Sequence, residues 1–317
     1  MFLQVLSKVG VLFTALFIGA FARHKSILTG DSTKSLAKVV IVITLPFLYF
    51  HSLATQFTRE LFGKIWPLPL FAICLIGAAY AMARFISRFI NLDSRGRATF
   101  IYLSTFTNCG FLAIPIASTL YGAEGVMRVV FFNVGFNLLY WTLGVWTLKS
   151  SNPDLPQVET GIYSLPKNLV NSGTIGLFAG AIAGFTALKI PSFLLDSANI
   201  MGSATIPLAL LVVGSIMSKG EIRKLRTYKN ALVCVVIIRL IAIPLLALFV
   251  TNFFDSLPPL SRAIIVLQSA MPSASTTPIF TARFGGDSQL ASAGVFATHA
   301  CSIITIPLFI ALLQYAR

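Results

Sequence analysis

The sequence predicts an all-α polytopic membrane protein with ten transmembrane helices, organised as two inverted five-helix repeats in which helices 4 and 9 are broken. Three observations predict it. Of 317 residues, 56% are AVILMFWYC and only 11% are DEKR, against roughly 25% charged in a soluble domain. Those few charges divide the chain into ten apolar stretches. A pattern, R-A followed by P-I-x-x-x-x-aromatic-G, recurs in the fourth stretch and in the ninth. Ten helical crossings of about 20 residues each use about 200 residues, which this length accommodates.

In chain order the ten spans are 9–22, 39–58, 65–83, 98–123, 129–148, 168–188, 197–218, 230–254, 263–282 and 288–316. Span 1 is short, but Phe2, Leu3, Val5 and Leu6 extend it across Lys8, whose long stem lets the ammonium reach the interface. No basic run precedes this span and no small-residue cleavage site follows it, so a removed signal peptide is not expected. Cys74, Cys109, Cys234 and Cys301 all fall inside spans, where thiols pack as small apolar groups. Neither a disulfide frame nor a metal site is expected, and no cofactor.

The net charge of +14 is read as a topology signal and not as a nucleic-acid footprint. Connections after odd-numbered spans hold sixteen Lys and Arg, while the even connections and both ends hold seven. Basic loops stay in the cytoplasm, so both termini are expected outside, and the lipid bilayer is the partner of the surplus charge.

The repeat carries the functional reading. Span 4 contains Arg97-Ala98 and then Pro115-Ile116 through Tyr121-Gly122; span 9 contains Arg262-Ala263 and then Pro278-Ile279 through Phe284-Gly285. Each is the fourth member of a group of five, and Pro46 of span 2 answers Pro207 of span 7. Five is odd, so the second group enters the membrane from the opposite side. The domains expected are therefore 1–150 and 168–317, joined by a short cytoplasmic connection at 151–167.

Spans 4 and 9 are ill suited to unbroken helix. Asn108-Cys109-Gly110 precedes Pro115, and Pro272-Ser273-Ala274-Ser275-Thr276-Thr277-Pro278 places two prolines and four hydroxyls at mid-span. Proline removes an amide donor and clashes with the preceding turn. Backbone groups released in this way cost several kcal/mol each in lipid unless they line a polar cavity or find partners. The two breaks therefore predict one binding site at the midplane, whereas Pro46, Pro207 and Pro244 are read as simple kinks.

All ten acids are expected in loops or at helix ends, which leaves no carboxylate at the midplane for a cationic substrate. Each break instead begins a second half-helix, whose free amides and dipole favour an anion. Asn108, Ser273, Ser275, Thr276 and Thr277 add neutral donors. A small organic anion, best a carboxylate, is the expected substrate. Arg239 in span 8 reads equally well as a counter-ion to that substrate or as a cap on freed carbonyls. His299 in span 10 is a candidate for proton coupling, beside the plainer reading of a hydrogen bond between helices. His51 lies near the outer end of span 2 and ranks below both. Tyr140 and Trp141, one turn beyond Asn137, could wall the site, with interfacial anchoring the preferred reading.

The string Asn108-Cys109-Gly110-Phe111-Leu112-Ala113-Ile114-Pro115, followed by Tyr121-Gly122, by Asn133 and Asn137, and later by Met271-Pro272-Ser273-Ala274, resembles the auxin efflux carrier family of secondary transporters. The resemblance covers essentially the whole chain, and N-x-G-x-x-x-x-P is its most specific part. It implies a ten-helix fold like that of the bile acid and sodium symporters. Helices 1, 2, 6 and 7 would form a scaffold, usually dimeric, and helices 3–5 and 8–10 a transport domain that moves as an elevator. Helices 4 and 9 would cross at their breaks beside the substrate, with Asn108 and Pro115 at the first crossover, Pro272 at the second, and Asn137 as a polar position of helix 5. The connection from Ser150 to Pro166 is short, unlike the long loop of the plant hormone exporters, which favours a bacterial inner-membrane relative. Sodium and the proton both stay open as coupling ions, and a symporter of the bile acid and sodium type or an anion channel are the alternatives.

Enzyme classes lack their residues. No aspartate pair sits at membrane depth, no carboxylate cluster offers oxygen ligands to Mg²⁺, and no GxxxxGK[ST] run occurs.

Overall fold

A computed structural model describes residues 2–151, 172–218 and 222–315. The connection predicted at 151–167 falls outside the described residues apart from Ser151, as do Asp154, Glu159, Glu221 and Arg317. The described residues are helical, with one isolated bridge pairing Thr107 and Ser273. The helices are α1 (Phe2–His24), α2 (Gly30–Gln56), α3 (Arg59–Ile86), α4 (Ser94–Thr105), α5 (Ala113–Lys149), α6 (Ser172–Phe185), α7 (Ser192–Met217), α8 (Ile222–Thr227), α9 (Lys229–Thr251), α10 (Pro259–Ser269), α11 (Thr277–Phe284) and α12 (Ser288–Tyr315). Among them α2, α3, α5, α7, α9 and α12 are long and apolar enough to cross a membrane.

Local chemistry explains where these helices begin. Side-chain oxygens of Thr29, Thr58 and Asp93 accept from the amides of Ser32, Leu61 and Gly96 at the starts of α2, α3 and α4, satisfying donors that the first turn leaves unpaired. Proline is absorbed by widened turns. One π-helical turn, Val40–Thr44, precedes Pro46, and another, Ile238–Ala242, precedes Pro244. A wider turn relieves the clash that proline makes with the turn before it.

The tightest helix contacts use small residues. Gly176 and Gly180 of α6 face the backbone of Pro46 and Phe50 in α2, where an added Cβ would lie 2.3 and 2.6 Å from carbonyl oxygens. Gly214 of α7 lies against α1 so closely that a Cβ would come within 1.9 Å of the Leu16 oxygen. Without a hydrophobic driving force between helices in lipid, such close backbone approach supplies the dispersion that holds them together. Hydroxyl pairs add to it: Thr205 Oγ1 donates to Thr44 Oγ1 at 2.9 Å, two residues ahead of Pro207 and Pro46 respectively. Gly214→Ala is expected to destabilise the protein by about 1–3 kcal/mol, the usual cost of overpacking. Thermal melting in mild detergent checks it, and an unchanged melting temperature would show that the α1–α7 contact yields.

Spans 4 and 5 meet at Gly122, whose φ of 63° and ψ of −153° divide α5 into two helical pieces, 113–121 and 123–149, so the boundary lies just ahead of Glu124. The charges that suggest a boundary pair with each other, Arg128 Nη1 donating to Glu124 Oε2 at 2.9 Å along the helix. Asp196, exposed, sits within α7 and not in a loop, while Glu124 lies in the first turn after the Gly122 break.

Candidate functional site

The breaks between α4 and α5 and between α10 and α11 meet. Each spans seven residues, 106–112 and 270–276. Around the Thr107–Ser273 bridge the two strands exchange backbone bonds: the Asn108 amide donates to Pro272 O at 2.7 Å and the Ala274 amide to Phe106 O at 2.9 Å. Extended backbone in a membrane interior survives here because each break is the other's hydrogen-bond partner.

Both half-helices after the breaks end alike. Gly122 and Gly285, the last residues of the two motif copies, have φ of 63° and 91°. That left-handed region is open to glycine without steric cost.

The carbonyls released at the breaks are largely taken. Arg239, 2% exposed, donates through Nη1 to Thr105 O at 3.2 Å, through Nε to Met271 O at 3.1 Å and through Nη2 to Ser269 O. Thr105 and Ser269 are the last residues of α4 and α10, so the negative ends of two helix dipoles converge on one guanidinium. Ser273 Oγ donates to Leu103 O at 2.8 Å, Thr277 Oγ1 to Ala274 O at 2.6 Å, and Thr107 Oγ1 lies 3.3 Å from both Gln268 O and Met271 O. Ser273 and Thr277 thus spend their hydroxyl protons on the backbone.

The amides are treated differently. Those of Gly110, Phe111 and Leu112 before α5, and of Ser275 and Thr276 before α11, donate no hydrogen bond among the described residues. Cys109, Gly110, Phe111 and Thr276 are only half-buried, and a Cβ added at Gly110 would meet nothing within 4 Å. The crossing is saturated in donors to its carbonyls and retains unused amides.

The polar side chains form two groups. In one, Asn108 Nδ2 donates to Ser275 Oγ at 2.7 Å and lies 3.1 Å from His299 Nε2, while His299 Nδ1 is 2.8 Å from Val295 O. In the other, Gln268 Nε2 donates to Asn133 Oδ1 at 3.0 Å and Asn133 Nδ2 donates to Cys109 O at 3.2 Å. Thr298 Oγ1 accepts from the Ser273 amide at 3.2 Å, and Tyr140 Oη lies 2.7 Å from Thr276 Oγ1.

The structure therefore brings together Asn108, Cys109, Pro272, Ser273, Ser275, Thr276, Thr277, Arg239 and His299. Pro115 and Pro278 lie inside the first turns of α5 and α11, where a missing amide leaves no gap in the helix. Asn137 is half-buried and its side chain makes no hydrogen bond among the described residues; its neighbour one turn earlier, Asn133, bonds to the crossing. Tyr140 is 7% exposed and bonded to Thr276, a wall of the site and not an interfacial anchor. Gln268, Thr107 and Thr298 were not legible as site residues, because each lies in an apolar helix or beside a more conspicuous polar neighbour.

Comparison with known proteins matches the chain to a transporter family. A family model described as membrane transport protein matches residues 4–310. An uncharacterized transporter of Methanocaldococcus jannaschii is 26% identical over 307 residues, covering 92% of this chain and 93% of its own. A second, from Methanothermobacter thermautotrophicus, is 23% identical over 295 residues with the same coverage of 92% and 93%. Protein PIN-LIKES 2 of Arabidopsis thaliana is 28% identical over 144 residues, 44% of this chain and 31% of that protein.

Proposed function

Because this chain belongs to the membrane transport protein family, the auxin efflux carrier family, we propose that it is a secondary carrier that moves a small organic anion, best a carboxylate, by elevator-type alternating access. The observation that carries the substrate class is the imbalance at the crossing. The negative helix ends already hold a cation, Arg239, while the amides of Gly110–Leu112 and of Ser275–Thr276 remain unused. A carboxylate seated at the starts of α5 and α11 would complete those amides and the two positive helix ends.

The elevator reading draws on how the helices group. α1 packs on α7, and α6 and α7 on α2, which suits a scaffold of predicted helices 1, 2, 6 and 7. α4, α9, α10, α11 and α12 pack around the crossing, which suits a transport unit moving as one body. Ten helices in two inverted five-helix repeats, 1–150 and 168–317, are part of this proposal, supported by the matching Gly122 and Gly285 ends and by the Thr44–Thr205 contact between corresponding prolines' neighbours. So are a homodimer, a bacterial inner-membrane location and both termini outside, for which the basic odd-numbered connections speak. Sodium and the proton stay open as coupling ions.

Purified protein in proteoliposomes tests the carrier reading. Preloading with an unlabelled organic acid should accelerate uptake of the same labelled acid, since a carrier exchanges substrate across one site. Single-channel currents without such counterflow would convert the assignment to an anion channel.

A further inference from the structure

We infer that the crossing reads a neutral hydrogen-bond donor on its substrate, so that the preferred anions are organic acids that also carry a hydroxyl or N–H, with the amide oxygen of Asn108 as the specificity-determining acceptor. This rests on the carrier reading above and narrows its substrate class.

The inference comes from following hydrogens outward from groups that cannot change role. Val295 O is a backbone carbonyl and only accepts, so the His299 Nδ1 that lies 2.8 Å from it carries the hydrogen. None of the groups that bond the ring is acidic; the others are Asn108 and Ser275. In the neutral Nδ1–H ring, Nε2 is then an acceptor. The atom of Asn108 that faces it at 3.1 Å is then the amide nitrogen. That nitrogen has two hydrogens. His299 Nε2 takes one and Ser275 Oγ, at 2.7 Å, takes the other. Asn108 is left with Oδ1, and Oδ1 only accepts.

A second chain of the same construction lies beside it. Cys109 O only accepts, so Asn133 presents Nδ2 to it at 3.2 Å. Asn133 Oδ1 therefore faces Gln268, whose Nε2 donates to it at 3.0 Å. Gln268 is fully buried, and its Oε1 has no hydrogen-bond partner among the described residues. Two side-chain amides at one crossing are thus each oriented by a fixed carbonyl, and each is left with an acceptor to spare. Leaving a buried acceptor unmade is costly, and a site whose polar groups expect a hydroxyl discriminates strongly against a ligand that lacks it. The free main-chain amides take the carboxylate; the amide oxygen takes the donor.

Matched acids differing by one hydroxyl test this: lactate against propionate, malate against succinate, mandelate against phenylacetate. Thermal stabilisation of the detergent-purified full chain and counterflow in proteoliposomes supply the readouts. The hydroxylated member of the best-binding pair is expected to win by about tenfold or more in apparent affinity. Asn108→Ala removes the acceptor and should bring that ratio towards one, whereas Ser275→Ala keeps Oδ1 and should leave the preference for the hydroxylated acid in place, a contrast that mere loosening of the fold would not produce. If Asn108→Ala does not fold, the wild-type ratio together with Ser275→Ala decides the matter. Equal affinity for the two members of a pair in the wild type would overturn the inference and leave the organic-anion carrier standing. No stabilisation and no counterflow with any of the six acids would overturn both.

Discussion

Replacing Arg239 with methionine should lower the melting temperature by about 6 °C or more. The guanidinium is buried and donates to three carbonyls, those of Thr105, Ser269 and Met271. Replacing a buried charged group with an apolar one is often harmless when its partners are side chains that can be replaced with it. Here the partners are backbone carbonyls at the ends of α4 and α10, which no substitution removes. Each orphaned acceptor costs about 1–3 kcal/mol, so the total is about 3 kcal/mol at the least, and each kcal/mol moves the melting point of a chain of this size by roughly 2–4 °C. Arg239→Lys keeps a charge and three donors but loses the planar fork, and should recover part of the loss. Melting of Arg239→Met within about 2 °C of the wild type would mean that the carbonyls find other partners, and that Arg239 is not what holds the crossing together.

Asn108→Ala should abolish most transport, at least tenfold in rate, while the protein still folds. Asn108 ties three pieces of chain with one side chain: its own break, Ser275 in the other break, and His299 in α12. Its backbone amide bond to Pro272 O survives the substitution, so the two breaks stay joined. The cost in stability is that of the lost side-chain bonds, about 1–3 kcal/mol. The cost in transport is larger, because the alanine deprives the Ser275 hydroxyl and the His299 ring of their shared partner and removes the one acceptor that Asn108 offers. Initial uptake rates in proteoliposomes, alongside size-exclusion profiles of the purified variant, separate the two effects. Uptake equal to the wild type would place substrate recognition elsewhere.

The breaks themselves were legible because their causes are local. Proline, glycine and clustered hydroxyls disfavour helix wherever they occur, and the paired positions of Pro115 and Pro278 locate both second half-helices to within a turn. The division between spans 4 and 5 falls at Gly122, close to the Glu124 and Arg128 charges that mark it in the sequence, though their pairing along the helix was not legible. Asn137 stands apart from the contacts of the crossing. It and Asn133 lie one turn apart, so periodicity alone does not say which faces Cys109.

What the sequence by itself determined is the medium and the weak points: ten apolar stretches, a charge asymmetry between their connections, and two segments unable to stay helical. These depend on residues within a turn or two of one another. What only the tertiary structure decided is which polar group meets which. The partners of Asn108, Gln268 and Arg239 lie between 30 and 191 residues away, and no local rule carries information across that distance. The roles of donor and acceptor at the crossing therefore emerged only once two interrupted helices had each supplied what the other's backbone lacked.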